Sequence, residues 1–260
     1  MNNFIDLYKR KLIPLEKMPD LFQSDTDVIV AQCASEPQGC MSVFHLAKDR
    51  VRDVKVFSVL TLKPYDFYMI PEMKGHFELC SWFHAPGSRK ALKEKTGTVT
   101  YVPNMLHRAA SDRMKVRRPH MFVGTCTPPD DKGFVSLSLG LTYEKDILEV
   151  AEITVLEVND KLPRTLGDTQ VHISDVSYFV EYSQMPPTLP EPVPDAVAMA
   201  IGKNIANLVE DGSTIQLGIG EIPNAAALML KDKKDLGVHT EMMVDSMMEL
   251  YEMGVITNKA

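Results

Sequence analysis

The chain has 260 residues, 45% hydrophobic and 24% charged, with a formal net charge of −7. These are the proportions of an ordinary globular protein with a sizeable core, arranged as one large domain or two small ones. The negative balance and the lack of any basic run exclude a general nucleic-acid binder, and no apolar run reaches the length of a membrane span.

The four cysteines, Cys33, Cys40, Cys80 and Cys126, form no CxxC pair. Neither a zinc site nor a disulfide framework is expected, and a reducing cytoplasm fits this usage. The first residues contain no apolar stretch of secretory type. The sixteen methionines are expected mostly as adaptable core filler.

In chain order, Phe4 to Leu12 has helical spacing and Pro14 ends it, with a second short helical piece over Leu15 to Phe22. Val28 to Ala31 reads as a buried strand running into the small-residue loop Gln32 to Gly39, and Cys40 to Ala47 as a helix. Val54 to Leu62 is β-rich. This is a first strand–loop–helix–strand unit. Phe77 to Phe83, Thr98 to Val102 and Pro119 to Thr125 are further strand candidates, with a turn over Ala85 to Ser88 leading into a helix from Arg89. Phe134 to Leu139 reads as a strand, Thr142 to Glu152 as a helix, Ile153 to Val158 as an alternating strand, and Val176 to Glu181 as another strand.

Met185 to Pro194 (MPPTLPEPVP) carries five prolines in ten residues, so it is extended and stiff and marks a domain boundary. Residues 1–190 are expected to form one α/β domain and residues 191–260 the start of another. Asp195 caps a helix running to Val209, with Gly212 as its stop. Thr214 to Leu217 is a short β-prone run. Gly218 to Pro223 is a glycine loop, Asn224 to Leu230 a helix with Asn224 as a plausible N-cap, and Leu236, Val238 and Thr240 a second strand. That order is a βαβ crossover, which requires a parallel sheet. Ligands gather at the carboxyl ends of such strands, where the glycine loop and Glu241 both fall. Ser246 to Met253 adds a helix. The second part offers few strands for a parallel sheet with two covered faces, so either a fragment of a longer protein or a tight dimer is expected.

Four blocks then carry a resemblance. Val123 to Gly140 (VGTCTPPDDKGFVSLSLG), Asn159 to Ser174 (NDKLPRTLGDTQVHIS), Gln216 to Pro223 (QLGIGEIP) and Asp235 to Asp245 (DLGVHTEMMVD) together resemble the acetyl-CoA hydrolase/transferase family, in particular its butyryl-CoA:acetate and 4-hydroxybutyrate CoA-transferases. The resemblance implies an α/β, CoA-transferase-like open and mostly parallel sheet with flanking helices, its first domain complete and its second partial. It implies acyl-CoA and small carboxylic acids as partners, coenzyme A as substrate with no permanently bound cofactor, no metal, and a cytoplasmic homo-oligomer. The family's catalytic glutamate matches Glu241, and its glycine loop matches Gly218 and Gly220, with Glu221 standing where relatives carry a small residue.

Each residue has a plainer reading beside the functional one. Glu241 is a covalent nucleophile or an acid in the first turn of a helix, favoured there by the dipole. Gln216, Gly218 and Gly220 supply amides near an oxyanion or merely shape a turn. Ser35 and Glu36, with Pro37, face the acyl group or acceptor acid or form an ordinary turn; Asn104, after Pro103, has the same two readings. His239, two residues before Glu241, shares its face if the strand continues. Arg164 and Asp168 read as ion-pair residues, and Asp130 to Lys132 as a solvated turn. Three functions follow: a CoA-transferase of short-chain acids, an acyl-CoA hydrolase using the same glutamate, or an inactive or binding chain.

Overall fold

A computed structural model of the chain describes residues 3–190 and 193–259. The chain divides into two compact units, Met1–Thr188 and Leu189–Ala260.

In the first unit, helix α1 (Asn3–Lys11) is followed by a 3-10 segment, Leu15–Leu21, and strand β1 (Asp27–Val30). Then come α2 (Gln38–Ser42), a 3-10 turn over Phe44–Arg50, β2 (Val54–Ser58), α3 (Asp66–Met69), β3 (Phe77–Ser81), α4 (Pro86–Glu94) and β4 (Val99–Tyr101). The chain continues through α5 (Ala109–Val116), β5 (Met121–Cys126), β6 (Phe134–Ser136), α6 (Glu144–Val150), β7 (Ile153–Val158), β8 (Gln170–His172) and β9 (Tyr178–Glu181). Among the described residues the main sheet has seven strands in the order β4-β3-β2-β1-β5-β7-β9, and every neighbouring pair is parallel. The expected open parallel sheet is therefore present.

The strands are apolar on both faces because helices cover both. Val28, Val30, Val54, Val56, Phe77, Leu79, Met121 and Val123 enter one core with Met41, Phe44 and Phe67. The alternate residues Ile29, Phe57, Cys80, Phe122 and Leu156 enter the other, with Trp82, Ile147 and Phe179. That is the two-residue period of a strand serving two cores.

Several expected elements are trimmed or moved. The helix read over Cys40 to Ala47 is a short α2 followed by a 3-10 turn, because Pro37 sets its start and Val43, at φ −108° and ψ 0°, leaves helical geometry. The strand read over Phe134 to Leu139 stops at Ser136 and pairs antiparallel with β8, outside the main sheet. Left-handed backbone at Ser138 (φ +60°) ends it.

The second unit holds α7 (Ala196–Ala206), β10 (Thr214–Ile215), α8 (Glu221–Leu228), β11 (Gly237–Val238) and α9 (Asp245–Glu252). Asp195 caps α7 as expected, its Oδ1 accepting the Ala198 N–H at 2.7 Å. Strands β10 and β11 are parallel, so the βαβ reading stands. Helices α7 and α8 pack closely: a Cβ on Gly202 would lie 2.6 Å from the Ala225 backbone. The N-cap of α8 is Gly220, not Asn224. Pro223 falls in the first turn, where no backbone N–H is needed, so the helix begins earlier than the proline implied.

Candidate functional site

Leaving β1, the chain winds outward to β4 and then returns to β5 on the other side of β1. In an open parallel sheet this reversal opens a crevice at the carboxyl ends of the two strands. The loop after β1 runs there and is tied to β5, since the Thr125 hydroxyl donates to the Ser35 carbonyl at 3.1 Å.

Three buried glutamates fix that loop. Glu36, in the loop itself, is 2% exposed and accepts the Leu62 N–H at 2.8 Å and the Tyr65 hydroxyl. Glu157, on β7, accepts the Cys40 N–H at 2.8 Å and so holds the start of α2. Glu144, the first residue of α6, accepts the Tyr143 N–H at 2.9 Å and the Gln32 N–H at 3.4 Å. Burial raises all three carboxyls, Glu36 and Glu157 to about 7, while their hydrogen bonds act in the opposite direction.

Ser35 is 1% exposed, and its hydroxyl has no hydrogen-bond partner among the described residues. An orphaned buried hydroxyl is uncommon in a folded protein. Gly140 presses on it: a Cβ there would lie 2.6 Å from Ser35 Oγ. Beside the loop is a narrow cleft of ≈ 10 Å³, about the room of one water, lined by Glu36, Gln38, Thr125, Glu157, Asn159 and Gln184, among others. A larger hollow of ≈ 560 Å³ lies at the amino end of β7, against α6 and the β6–β8 pair, and none of the predicted site residues lines it.

Asn104 is not brought to this crevice. It follows β4, the edge strand three places from β1, or about 14 Å away at the usual strand spacing. Its side chain accepts the Met105 N–H at 2.7 Å and reaches Asp112 at 3.4 Å, on the surface. Arg164 pairs with Asp130 at 2.8 Å, and Asp168 pairs with Lys145.

In the second unit, Gln216, Gly218 and Glu241 are exposed and Gly220 is half-buried. Gly220 needs to be glycine, since its φ is +140°. Gly218 does not: a Cβ there would meet nothing within 4 Å, so the unit's own packing gives no reason for a glycine. Glu241 lies three residues beyond the end of β11, in the segment leading to α9. Its carboxylate has no hydrogen-bond or ion-pair partner among the described residues. Because β11 stops at Val238, His239 and Glu241 do not share a strand face; His239 donates its N–H to the Ile215 carbonyl at 3.1 Å.

The reading of the sequence missed Glu157, Glu144 and Tyr65. For Glu157 a signal was present: a glutamate inside the run Ile153 to Val158, a strand flanked by neighbours on both sides, is a charge where burial is costly unless it is bonded.

The sequence profile of the acetyl-CoA hydrolase/transferase N-terminal domain matches residues 2–190. The chain is 35% identical over 98% of its length to the 4-hydroxybutyrate coenzyme A transferase of Clostridium kluyveri, covering 59% of that protein. It is 28% identical over 98% of its length to the butyryl-CoA:acetate CoA-transferase of Anaerostipes caccae, covering 58% of it. The crystal structure of RipA from Yersinia pestis superposes with a TM-score of 0.92 at 28% identity, over 99% of this chain and 62% of that one. The chain thus spans about three fifths of the length of these relatives. By its profile match and its likeness to these proteins, the chain belongs to the acetyl-CoA hydrolase/transferase family.

Proposed function

We propose that the chain carries the nucleophile of a CoA-transferase that moves CoA from a short-chain acyl-CoA to a free carboxylate. One observation supports this most: within a family-like block, Glu241 presents an exposed carboxylate with no partner among the described residues, while Glu36 and Glu157 of the first unit are buried and bonded.

The Glu241 carboxylate attacks the thioester carbonyl, the C–S bond breaks, and CoA leaves as thiolate. The thiolate then attacks the glutamyl carbonyl of the resulting anhydride and the first acid leaves as its carboxylate, so Glu241 becomes a CoA thioester. An acceptor carboxylate attacks that thioester and expels the thiolate. The thiolate attacks the acyl carbonyl of the new anhydride, which releases acyl-CoA and restores Glu241. Covalent catalysis divides one exchange into easier steps. Amides around Gly218 and Gly220, with Gln216, serve the developing oxyanion. Substrates of the class carried by the relatives, butyrate, acetate or 4-hydroxybutyrate with their CoA esters, fit this reading, with no resident cofactor or metal.

The exposure of Glu241 favours one second reading, hydrolysis, in which water takes the acceptor's place. Initial rates of butyryl-CoA consumption with and without acetate separate the two, run on this chain and on a chain of the relatives' full length. Parallel ping-pong lines that need acetate are expected; acetate-independent CoA release would favour hydrolysis, and inactivity of both chains would overturn the transfer reading.

A further inference from the structure

Glu36 and Glu157 are buried, come from different elements and line the same cleft. Among the described residues neither forms an ion pair: Glu36 accepts a backbone N–H and a phenol, and Glu157 a backbone N–H. Glu36 fastens the loop after β1 to Leu62 and Tyr65, in the segment after β2. Glu157 fastens the same loop's far end through Cys40 at the start of α2. A third strand of chain closes over them: Gln184 Nε2 donates to Gln38 Oε1 at 2.5 Å, and Asn159 Nδ2 donates to the Gln184 carbonyl at 2.6 Å. Gly39 allows that closure, since a Cβ there would lie 2.5 Å from the Tyr182 ring.

We propose that Glu36 and Glu157 act together as a positioning pair, which holds residues 35–40 and 61–65 in one arrangement and thereby sets the pH range over which that arrangement persists. The groups facing Glu36 are Tyr65, Tyr68 and Lys63 from the segment after β2, and Glu157 from β7. Those facing Glu157 are Cys40 from α2, Cys126 from β5, Tyr65 from the segment after β2, and Glu36. The thiols and phenols are protonated at neutral pH, burial having raised them further, and Lys63 acts on Glu36 as a partial counter-charge. While protonated carboxyl remains in the pair, the buried set carries little net charge. When both ionise, two like charges share a poorly hydrated cleft. The loop and the Tyr182–Gln184 segment then open to hydrate them. The pair touches no reacting atom.

The test compares the wild-type chain with Glu36→Gln and Glu157→Gln, whose amides keep an acceptor but cannot ionise. Hydrogen–deuterium exchange of peptides covering residues 31–42 and 59–65, corrected for intrinsic rates, is followed from about pH 5.5 to 8.5. Opening in the wild type is expected to increase about tenfold across neutrality, and to change much less in either variant. A wild-type profile without pH dependence, or one that both variants reproduce, would overturn the proposal.

Discussion

Glu157 is a carboxyl group in the middle of a buried strand, and its ionisation sits at about 7, as does that of Glu36. Both lie above the ordinary value of 4.5. Between those limits the folded chain holds protons that the unfolded chain has released. Stability from this pair is therefore complete at the acid end and is lost as pH rises through about 7. Urea unfolding at about pH 5.5 and 8 is expected to show stability falling with pH in the wild type, and falling by about 1–3 kcal/mol less in Glu157→Gln. Equal falls would contradict the assignment. At this scale the sequence was only partly readable. Ser35 and Glu36 were legible as loop residues because small and turn-prone residues follow the strand Val28 to Ala31. Their fasteners, Glu144 and Glu157, arrive from residues more than a hundred positions away, and only the tertiary fold brings them in. Asn104 was misplaced for the same reason: strand order, not strand number, decides which loops meet.

Among the elements, α5 is fastened to the sheet by charge. Arg113 Nε donates to Asp27 Oδ2 at 2.6 Å, the Asp27 side chain is fully buried, and the guanidinium lies 4.5 Å over the Phe57 ring. Removing the arginine leaves an uncompensated buried carboxylate. Arg113→Met is expected to destabilise the chain by about 3–5 kcal/mol in urea. Arg108→Met, which breaks an exposed pair with Asp112, is expected to cost about 0–1 kcal/mol. Similar midpoints would count against a buried clamp. Strands of the main sheet were legible from an unbroken apolar run, as in Val28 to Ala31, or from alternation, as in Ile153 to Val158. The helices α3 and α5 were not, since a four-residue turn and a polar helix over Ala109–Val116 carry too little periodicity to register. Helix starts slipped where proline sat inside a first turn, as at Pro223.

For the molecule as a whole, the parallel sheet and the family were legible because pattern and blocks agree along nearly the full chain. The described residues contain no helix long and apolar enough to cross a membrane. Val197 and Leu208 on and after α7 are 65% and 84% exposed, with Ile201 between them at helical spacing, opposite the buried Ala198, Gly202 and Ala206. Apolar residues exposed in this way favour association, and light scattering is expected to give a multiple of the 29.1 kDa chain mass. A mass that stays at one chain up to high concentration would contradict self-association. The central claim is that Glu241 carries CoA covalently. Peptide mass spectrometry after incubation with butyryl-CoA, first alone and then with acetate, tests it most directly, on this chain and on one of the relatives' full length. A CoA-sized adduct on the peptide containing Glu241, removed by acetate and missing in Glu241→Gln, is the expected result; no adduct on either chain, or one that persists in Glu241→Gln, would contradict it.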